Sequence, residues 1–167
     1  QVRIEIDTAA EAIDHLVDCA RRAARTTISF VNPHCLNVAY RHKAYRQSLE
    51  ASDYVLPDGI GIKLASKMLR VNLRENVNGT DLFPRLCARL AEEGQSIFLL
   101  GAREGIPEAV AANMNAQYPT LRIAGTQHGY FREDETPEVI ERINQSGADF
   151  LFVAFGVPKQ ELWLAEH

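Results

Sequence analysis

The feature that most constrains this chain is a regular alternation of two patterns along its whole length. Short runs rich in β-branched and aromatic residues, typical of buried strands, alternate with amphipathic stretches of about 10–15 residues. Strands joined by helices of this length form parallel sheets through right-handed crossovers. The sequence therefore predicts an α/β fold, an open and mostly parallel sheet of about six strands with helices on both faces.

The predicted elements follow one another without a linker, a repeat or a low-complexity tract. Strands are predicted at residues 2–6, 26–31, 54–56, 97–100, 121–124 and 150–154. Helices are predicted at residues 8–23, 37–51, 60–69, 80–93, 106–117 and 137–145, with a last helix from near Pro158. A length of 167 residues with 46% hydrophobic residues fits one domain over residues 1–167 with its own core.

Several function classes lack support in the sequence. The net charge of −4 gives no indication of nucleic-acid binding. The three cysteines form no C-x-x-C pair, the histidines show no ligand spacing, and no D-x-D pair occurs, so no metal site is predicted. No nucleophile signature indicates a hydrolytic triad. No apolar run has the length of a membrane-spanning helix, and the first residues do not resemble a signal peptide.

Candidate functional residues lie after the predicted strands, because ligands of open parallel sheets bind at the carboxyl ends of the strands. Asp58 follows a strand and precedes Gly59, so its carboxylate could act as a general base toward a substrate hydroxyl. An alternative that the sequence leaves open is that the Asp58 carboxylate only hydrogen-bonds the backbone of its own turn. Asp81, in a first helical turn next to Thr80, is better placed to complement the helix dipole than to take part in chemistry.

Other strand ends carry glycines, an arginine and aromatic residues. Gly101 and Arg103 lie in a turn that leads into a helix, which suits a phosphate but also suits a tight turn with no ligand. The loop with Tyr130 and Phe131 could stack a nucleobase or pack into the core. Near the end of the chain, a helix start carries a cluster of polar groups, more consistent with a site than with capping alone. That cluster is Gly156, Lys159, Gln160 and Glu161.

Six motifs occur in the order found in the WecG/TagA/CpsF family of bacterial glycosyltransferases, and the chain resembles that family from about residue 26 onward. They are Asn32-Pro33-His34, Pro57-Asp58-Gly59-Ile60-Gly61, Asn78-Gly79-Thr80-Asp81-Leu82, Phe98-Leu99-Leu100-Gly101, His128-Gly129-Tyr130-Phe131 and Gly156-Val157-Pro158-Lys159-Gln160-Glu161-Leu162-Trp163. Six ordered motifs are far more specific than any one of them.

The resemblance implies a Rossmann-like, inverting transferase that needs no cofactor or metal. Its donor would be a UDP-sugar and its acceptor a polyprenyl-diphosphate-linked sugar, in cell-surface polysaccharide assembly at the cytoplasmic face of the membrane. It implies Asp58 as the base, Asn32 at the pocket floor, Tyr130 beside the nucleotide and Gln160 as the glutamine of the P-K-Q-E motif. It also implies self-association, and membrane contact through a C-terminal segment that would lie beyond residue 167.

Two positions depart from the family pattern and leave the substrates open. Asn76 stands where members commonly have an arginine, and Phe30 stands where many have a threonine. The transferred group is therefore a hexosyl or an N-acetylhexosaminyl group, of which N-acetylmannosaminyl is one candidate. A nucleotide-binding module without catalysis is an alternative. An NAD-dependent oxidoreductase is disfavoured, because the G-x-G-x-x-G fingerprint is absent.

Overall fold

The computed structural model describes residues 2–5 and 7–167. This part of the chain divides into two compact units: the residues up to Phe83 together with Val157–His167, and Pro84–Gly156. The helices are α1 Ala9–Arg21, α2 Pro33–Arg41, α3 Lys43–Ala51, α4 Ile60–Met68, α5 Gly79–Glu93, α6 Ile106–Gln117, α7 Thr136–Ser146 and α8 Lys159–Glu166. The strands are β1 Ile28–Val31, β2 Tyr54–Pro57, β3 Ser96–Gly101, β4 Arg122–Gln127 and β5 Phe150–Ala154.

The first unit is built on the parallel pair β1 and β2. Their register runs from Ile28 opposite Tyr54 to Val31 opposite Pro57. Residues of β1, β2, α2 and α3 form a buried apolar cluster beside the pair, against which Leu162 of α8 also packs. The cluster consists of Val31, Cys35, Ala39, Tyr45, Leu49 and Val55. Its burial holds the ends of β1 and β2 in place.

The second unit is built on a three-stranded parallel sheet in the order β4-β3-β5. Every residue of the central strand β3 is buried, as expected of a strand with a neighbour on each side and a continuous apolar run. Helix α6 contacts β3 and β4, and α7 contacts β4. Leu100 lies opposite Gln127 of β4 and Gly101 opposite Ala154 of β5, so the three strands end at one edge.

The α/β class with parallel strands is confirmed, but the strand arrangement differs from the prediction. In the described part of the chain, five strands form two sheets, where one sheet of about six was expected. Residues 2–5 form no strand, although Glu5 N–H donates to Val55 O at 2.9 Å, and residue 6 lies outside the described residues. The single catalytic domain expected over residues 1–167 stays a prediction.

Other differences concern element boundaries. The helix predicted over residues 37–51 is two helices, α2 and α3, with His42 ending one and capping the next. Strand β4, predicted at residues 121–124, continues through Gly125 to Gln127. None of the helices formed by the described residues is long and apolar enough to cross a lipid bilayer.

Candidate functional site

Asn32 and Asp58 come off neighbouring strands at the same edge of the first unit. Each follows directly on one of two paired residues, Val31 and Pro57. The Asp58 N–H donates to Val31 O at 2.8 Å, which extends the β-ladder by one residue. Asn32 Oδ1 accepts from the N–H of Cys35 at 3.0 Å and caps α2. The backbone therefore holds both residues side by side, and both are half-buried.

The Asp58 carboxylate has no hydrogen bond or ion pair with any described residue. Gly59 follows it with φ +88° and begins α4 without a side-chain cap. The first N–H groups of α4 are consequently available to a ligand. A Cβ at Gly61 would come within 2.4 Å of Pro33 Cγ, so the first turn of α4 packs directly on the first turn of α2. This packing fixes the Asp58 turn.

The residues before α5 form a closed hydrogen-bonded cap. Asp81 N–H donates to Asn78 Oδ1 at 2.8 Å, and Asn78 Nδ2 donates to Asp81 Oδ2 at 2.7 Å. Asp81 is thus engaged in capping, while Thr80 beside it is exposed. The Phe30 ring lies 3.8 Å from where a Gly79 Cβ would be, so Phe30 packs against this turn. Asn78 is therefore the residue that caps the start of α5.

The start of α8 presents its three polar residues differently. Lys159 is exposed, Gln160 is half-buried, and Glu161 is 4% exposed. Glu161 Oε1 accepts from Gln160 Nε2 at 2.9 Å, whereas Glu161 Oε2 is buried without a partner among the described residues. Burial raises the pKa of Glu161 above its ordinary value. The Glu161 carboxyl therefore lies in the interior of the first unit, where it accepts a hydrogen bond from the Gln160 amide.

Tyr45 is a second buried polar group near α8 that sequence reasoning did not single out. Its side chain is fully buried, and its hydroxyl makes no hydrogen bond of normal geometry within the described chain. Burial, with the neighbouring Glu161 carboxyl and Cys35 thiol, raises the pKa of Tyr45 well above its usual range. The helical spacing of Tyr45 and Leu49 is typical of core positions and by itself does not indicate a polar role.

In the second unit, three strand ends meet through main-chain contacts. Ala102 N–H donates to Ala154 O at 2.9 Å, and Gly129 N–H donates to Ala102 O at 2.9 Å. Gly101 has φ +132°, and a Cβ there would lie 2.5 Å from Ala154 O. A Cβ at Gly129 would lie 2.8 Å from the Phe155 ring. These glycines are required by close approach of the loops after β3, β4 and β5.

The remaining predicted site residues surround this meeting point. Arg103 is exposed, and Tyr130 is 73% exposed with its ring in solvent. Phe131 instead packs edge-on against Phe155, with ring centroids 5.9 Å apart. Gly156 directly follows Phe155 with φ +79°. The exposed Tyr130 ring is therefore the one of the two aromatic side chains that is available for stacking.

Glu108 is a charged residue near this loop cluster that sequence reasoning missed. It lies in the first turn of α6 and accepts from Thr126 Oγ1 at 2.8 Å. Hydrogen bonds from its own N–H and from Thr126 lower the pKa of Glu108. Its negative charge complements the α6 dipole and would oppose the binding of an anion at the start of that helix.

The structure therefore groups the predicted site residues in two sets, one per unit. Asn32, Asp58 and Gly59 come together in the first unit, and the strand ends that flank Gly101 come together in the second. Across residues 2–5 and 7–167, no three His, Cys, Asp or Glu side chains are grouped as metal ligands would be. A transferase without metal stays a prediction.

Comparison with known proteins identifies the family. The sequence model of the Glycosyl transferase WecG/TagA/CpsF family matches residues 1–167. A protein of Bacillus subtilis (strain 168) is 34% identical over 137 residues, which are 82% of this chain and 53% of the relative. A protein of Staphylococcus aureus (strain NCTC 8325 / PS 47) is 36% identical over 138 residues, 81% of this chain and 53% of the relative.

Both relatives are named N-acetylglucosaminyldiphosphoundecaprenol N-acetyl-beta-D-mannosaminyltransferase, and the chain spans about half of their length. The match of the family model covers every motif on which the resemblance was based. The chain therefore belongs to the WecG/TagA/CpsF family of glycosyl transferases.

Proposed function

We propose that this chain provides the base-bearing part of an inverting glycosyltransferase. The enzyme would move a hexosyl or N-acetylhexosaminyl group from a UDP-sugar to a lipid-linked sugar in cell-surface polysaccharide synthesis, at the cytoplasmic face of the membrane. Relatives named as N-acetylmannosaminyltransferases make N-acetylmannosaminyl the first group to test. The observation that carries the proposal is the Asp58 carboxylate, held at a strand edge by the backbone and not engaged by any described side chain.

The chemistry requires one base and a stabilised leaving group. In a single displacement, the acceptor oxygen bonds to the anomeric carbon while the bond from that carbon to the UDP oxygen breaks. The acceptor proton passes to the Asp58 carboxylate, and UDP leaves with the electron pair of the broken bond. An unengaged carboxylate suits this role, because no internal donor competes for its lone pairs.

Charge on the departing diphosphate needs donors or cations. In the first unit, the uncapped start of α4 at Gly59 offers backbone N–H groups, and Lys159 at the start of α8 offers a cation. In the second unit, Arg103 is exposed beside the loop cluster. The exposed Tyr130 ring could stack on the uracil, which would favour a UDP-linked donor.

Asp58→Asn in the protein at its full natural length tests the base. The variant keeps the Asp58 N–H bond to Val31, so fold and UDP affinity should stay near those of the parent. Removal of a general base should lower kcat about 10²- to 10⁴-fold. Asp14→Asn is a matched control, since Asp14 is an exposed carboxylate on α1.

Release of UDP and glycosylation of a lipid-linked acceptor would be measured across a panel of UDP-sugars, with calorimetric titration of UDP. Normal turnover by Asp58→Asn would refute the base assignment. UDP binding by the parent protein without turnover on any donor would favour a binding module. Binding of NADH in place of UDP would favour the oxidoreductase alternative.

A further inference from the structure

Helix α4 carries an apolar stripe that nothing in the described chain covers. Ile60, Leu64 and Met68 are spaced four residues apart and so lie along one side of the helix. They are 77%, 60% and 78% exposed. The opposite side of α4 packs inward through Ile62, which is 6% exposed. Because scattered single apolar residues are ordinary on surfaces but continuous stripes are not, this α4 stripe indicates a binding surface.

Exposed apolar side chains are also found just past the end of α4. Arg70 N–H donates to Lys67 O at 3.2 Å and Val71 N–H donates to Ser66 O at 2.8 Å, a Schellman ending with Arg70 at φ +55°. Two more exposed apolar side chains come next in the sequence. Leu69 and Val71 are 75% and 52% exposed. Exposed apolar side chains thus occur along a stretch of chain longer than two helical turns.

The charges around the α4 stripe have one sign. Residues 59–74 contain four basic and no acidic side chains, in a chain whose net charge is −4. Arg74 pairs with Glu11 at 2.8 Å. Lys63, Lys67 and Arg70 are exposed, and no described carboxylate pairs with them. Lys63 and Lys67 are also four residues apart and border the stripe along its length.

We propose that α4 is an interfacial helix that docks this protein on an anionic lipid bilayer, with the α4 stripe among the acyl chains and Lys63, Lys67 and Arg70 at the headgroups. Apolar side chains on one face with basic residues beside them are the pattern of helices that lie in a membrane interface. A second copy of the chain fits less well, because a two-fold pairing of this surface would bring the unpaired cations of both copies together.

Docking through α4 has a consequence for the site. Asp58 precedes the first residue of α4 by two positions, so its carboxylate would lie near the level of the headgroups. A lipid-linked acceptor presents its sugar at that level. This consequence rests on the proposed glycosyl transfer, whereas docking itself does not. The proposal assigns a membrane contact to residues of this chain, and the contact expected of a C-terminal segment stays a prediction.

Flotation with vesicles tests the proposal without donor or acceptor, so the outcome does not depend on transferase activity. The protein at its full natural length should bind phosphatidylcholine vesicles that contain phosphatidylglycerol and bind weakly to phosphatidylcholine alone. Lys63→Gln with Lys67→Gln should lower the partition coefficient about 25-fold, about fivefold for each lysine. Leu64→Gln with Met68→Gln should lower it about tenfold or more.

Two matched variants control the experiment. Arg41→Gln with Lys43→Gln removes the same charge from exposed positions outside α4 and should change binding less than about twofold. Lys63→Arg with Lys67→Arg keeps the charge and should bind like the parent. All these positions are exposed, so circular dichroism should report unchanged folding.

Three results would overturn the proposal. One is equal binding to vesicles with and without phosphatidylglycerol. Another is a loss in the double lysine variant no larger than in the Arg41 and Lys43 control. The third is self-association in sedimentation that the Leu64 and Met68 changes abolish while vesicle binding persists, because the α4 stripe would then be an interface between copies.

Discussion

Replacement of Gly101 by alanine should destabilise the second unit strongly, because the new methyl group has no space. Its Cβ would lie 2.5 Å from Ala154 O and 2.6 Å from Ala154 C, both backbone atoms that cannot rotate away. The φ of +132° adds a conformational cost of about 1–3 kcal/mol for a non-glycine residue. Relief of the overlap by a shift of β5 costs about 1–3 kcal/mol more. The expected loss in the free energy of unfolding is roughly 2–6 kcal/mol.

Gly147→Ala separates the conformational cost of a positive φ from the cost of steric overlap, because only the first applies there. Gly147 ends α7 at φ +61°, and no atom lies within 4 Å of where its Cβ would be, so alanine there should cost only about 1–2 kcal/mol. Urea denaturation followed by circular dichroism would give both values. The proposed close approach of β3 and β5 is refuted if Gly101→Ala loses no more free energy of unfolding than Gly147→Ala.

Two further changes test buried polar contacts. Asp149→Ala removes the Oδ2 atom that accepts hydrogen bonds from Ser96 N–H and Ser96 Oγ at 2.7 and 2.8 Å. Because Ser96 is 1% exposed, the change should lower the free energy of unfolding by about 1–3 kcal/mol. An unchanged midpoint in urea denaturation would contradict this. Glu161→Gln tests the raised pKa of Glu161. The Glu161 carboxyl binds a proton more tightly in the folded state than in the unfolded state. It therefore favours folding at low pH, and this contribution is lost as the pH rises through the pKa of Glu161 in the folded state. The variant should therefore gain stability relative to the parent at pH values well above 4.5, with a smaller gain at or below 4.5, and an equal difference at both ends would contradict the inward position of the carboxyl.

Much of the fold could be predicted because the apolar pattern is local. Strand β5 lies where the apolar run predicted it, and α6 begins and ends as the pattern indicated. The break between α2 and α3 could not be predicted, because His42 Nδ1 caps α3 by accepting from Tyr45 N–H at 3.1 Å, and histidine is not a usual cap residue.

Long-range packing explains a second missed boundary. The strand predicted at residues 121–124 ended before Gly125, and a glycine within a strand pattern often marks a bulge or a bend. In the structure a Cβ at Gly125 would lie 2.5 Å from the Phe98 ring, so glycine is present to make room for a side chain of β3. The register shifts at Ile97 and Phe98 beside it. A single sequence does not contain that contact, which joins residues far apart in the chain.

The site was predictable in place but not in side-chain direction. Strand-end reasoning placed Asp58 at the carboxyl edge of a sheet, and the resemblance added Asn32 at the pocket floor. The pairing of β1 with β2 puts the two residues at one edge. It gave no basis for separating Lys159 from Glu161, which lie two residues apart at the same helix start. In the structure Lys159 is exposed, whereas the Glu161 carboxyl is buried near the Tyr45 side chain.

The loops after β3, β4 and β5 meet through main-chain atoms, so their exposed side chains can be engineered without changing those contacts. Ala102 is joined to Ala154 and Gly129 by N–H and C=O groups, which every residue except proline carries in full. A mutant library aimed at Gly101 or Gly129 would yield mostly misfolded clones, whereas one aimed at Arg103 and Tyr130 would alter exposed side chains on an unchanged frame. The exposed side chains of these loops can therefore vary without loss of the scaffold, provided that the glycines stay.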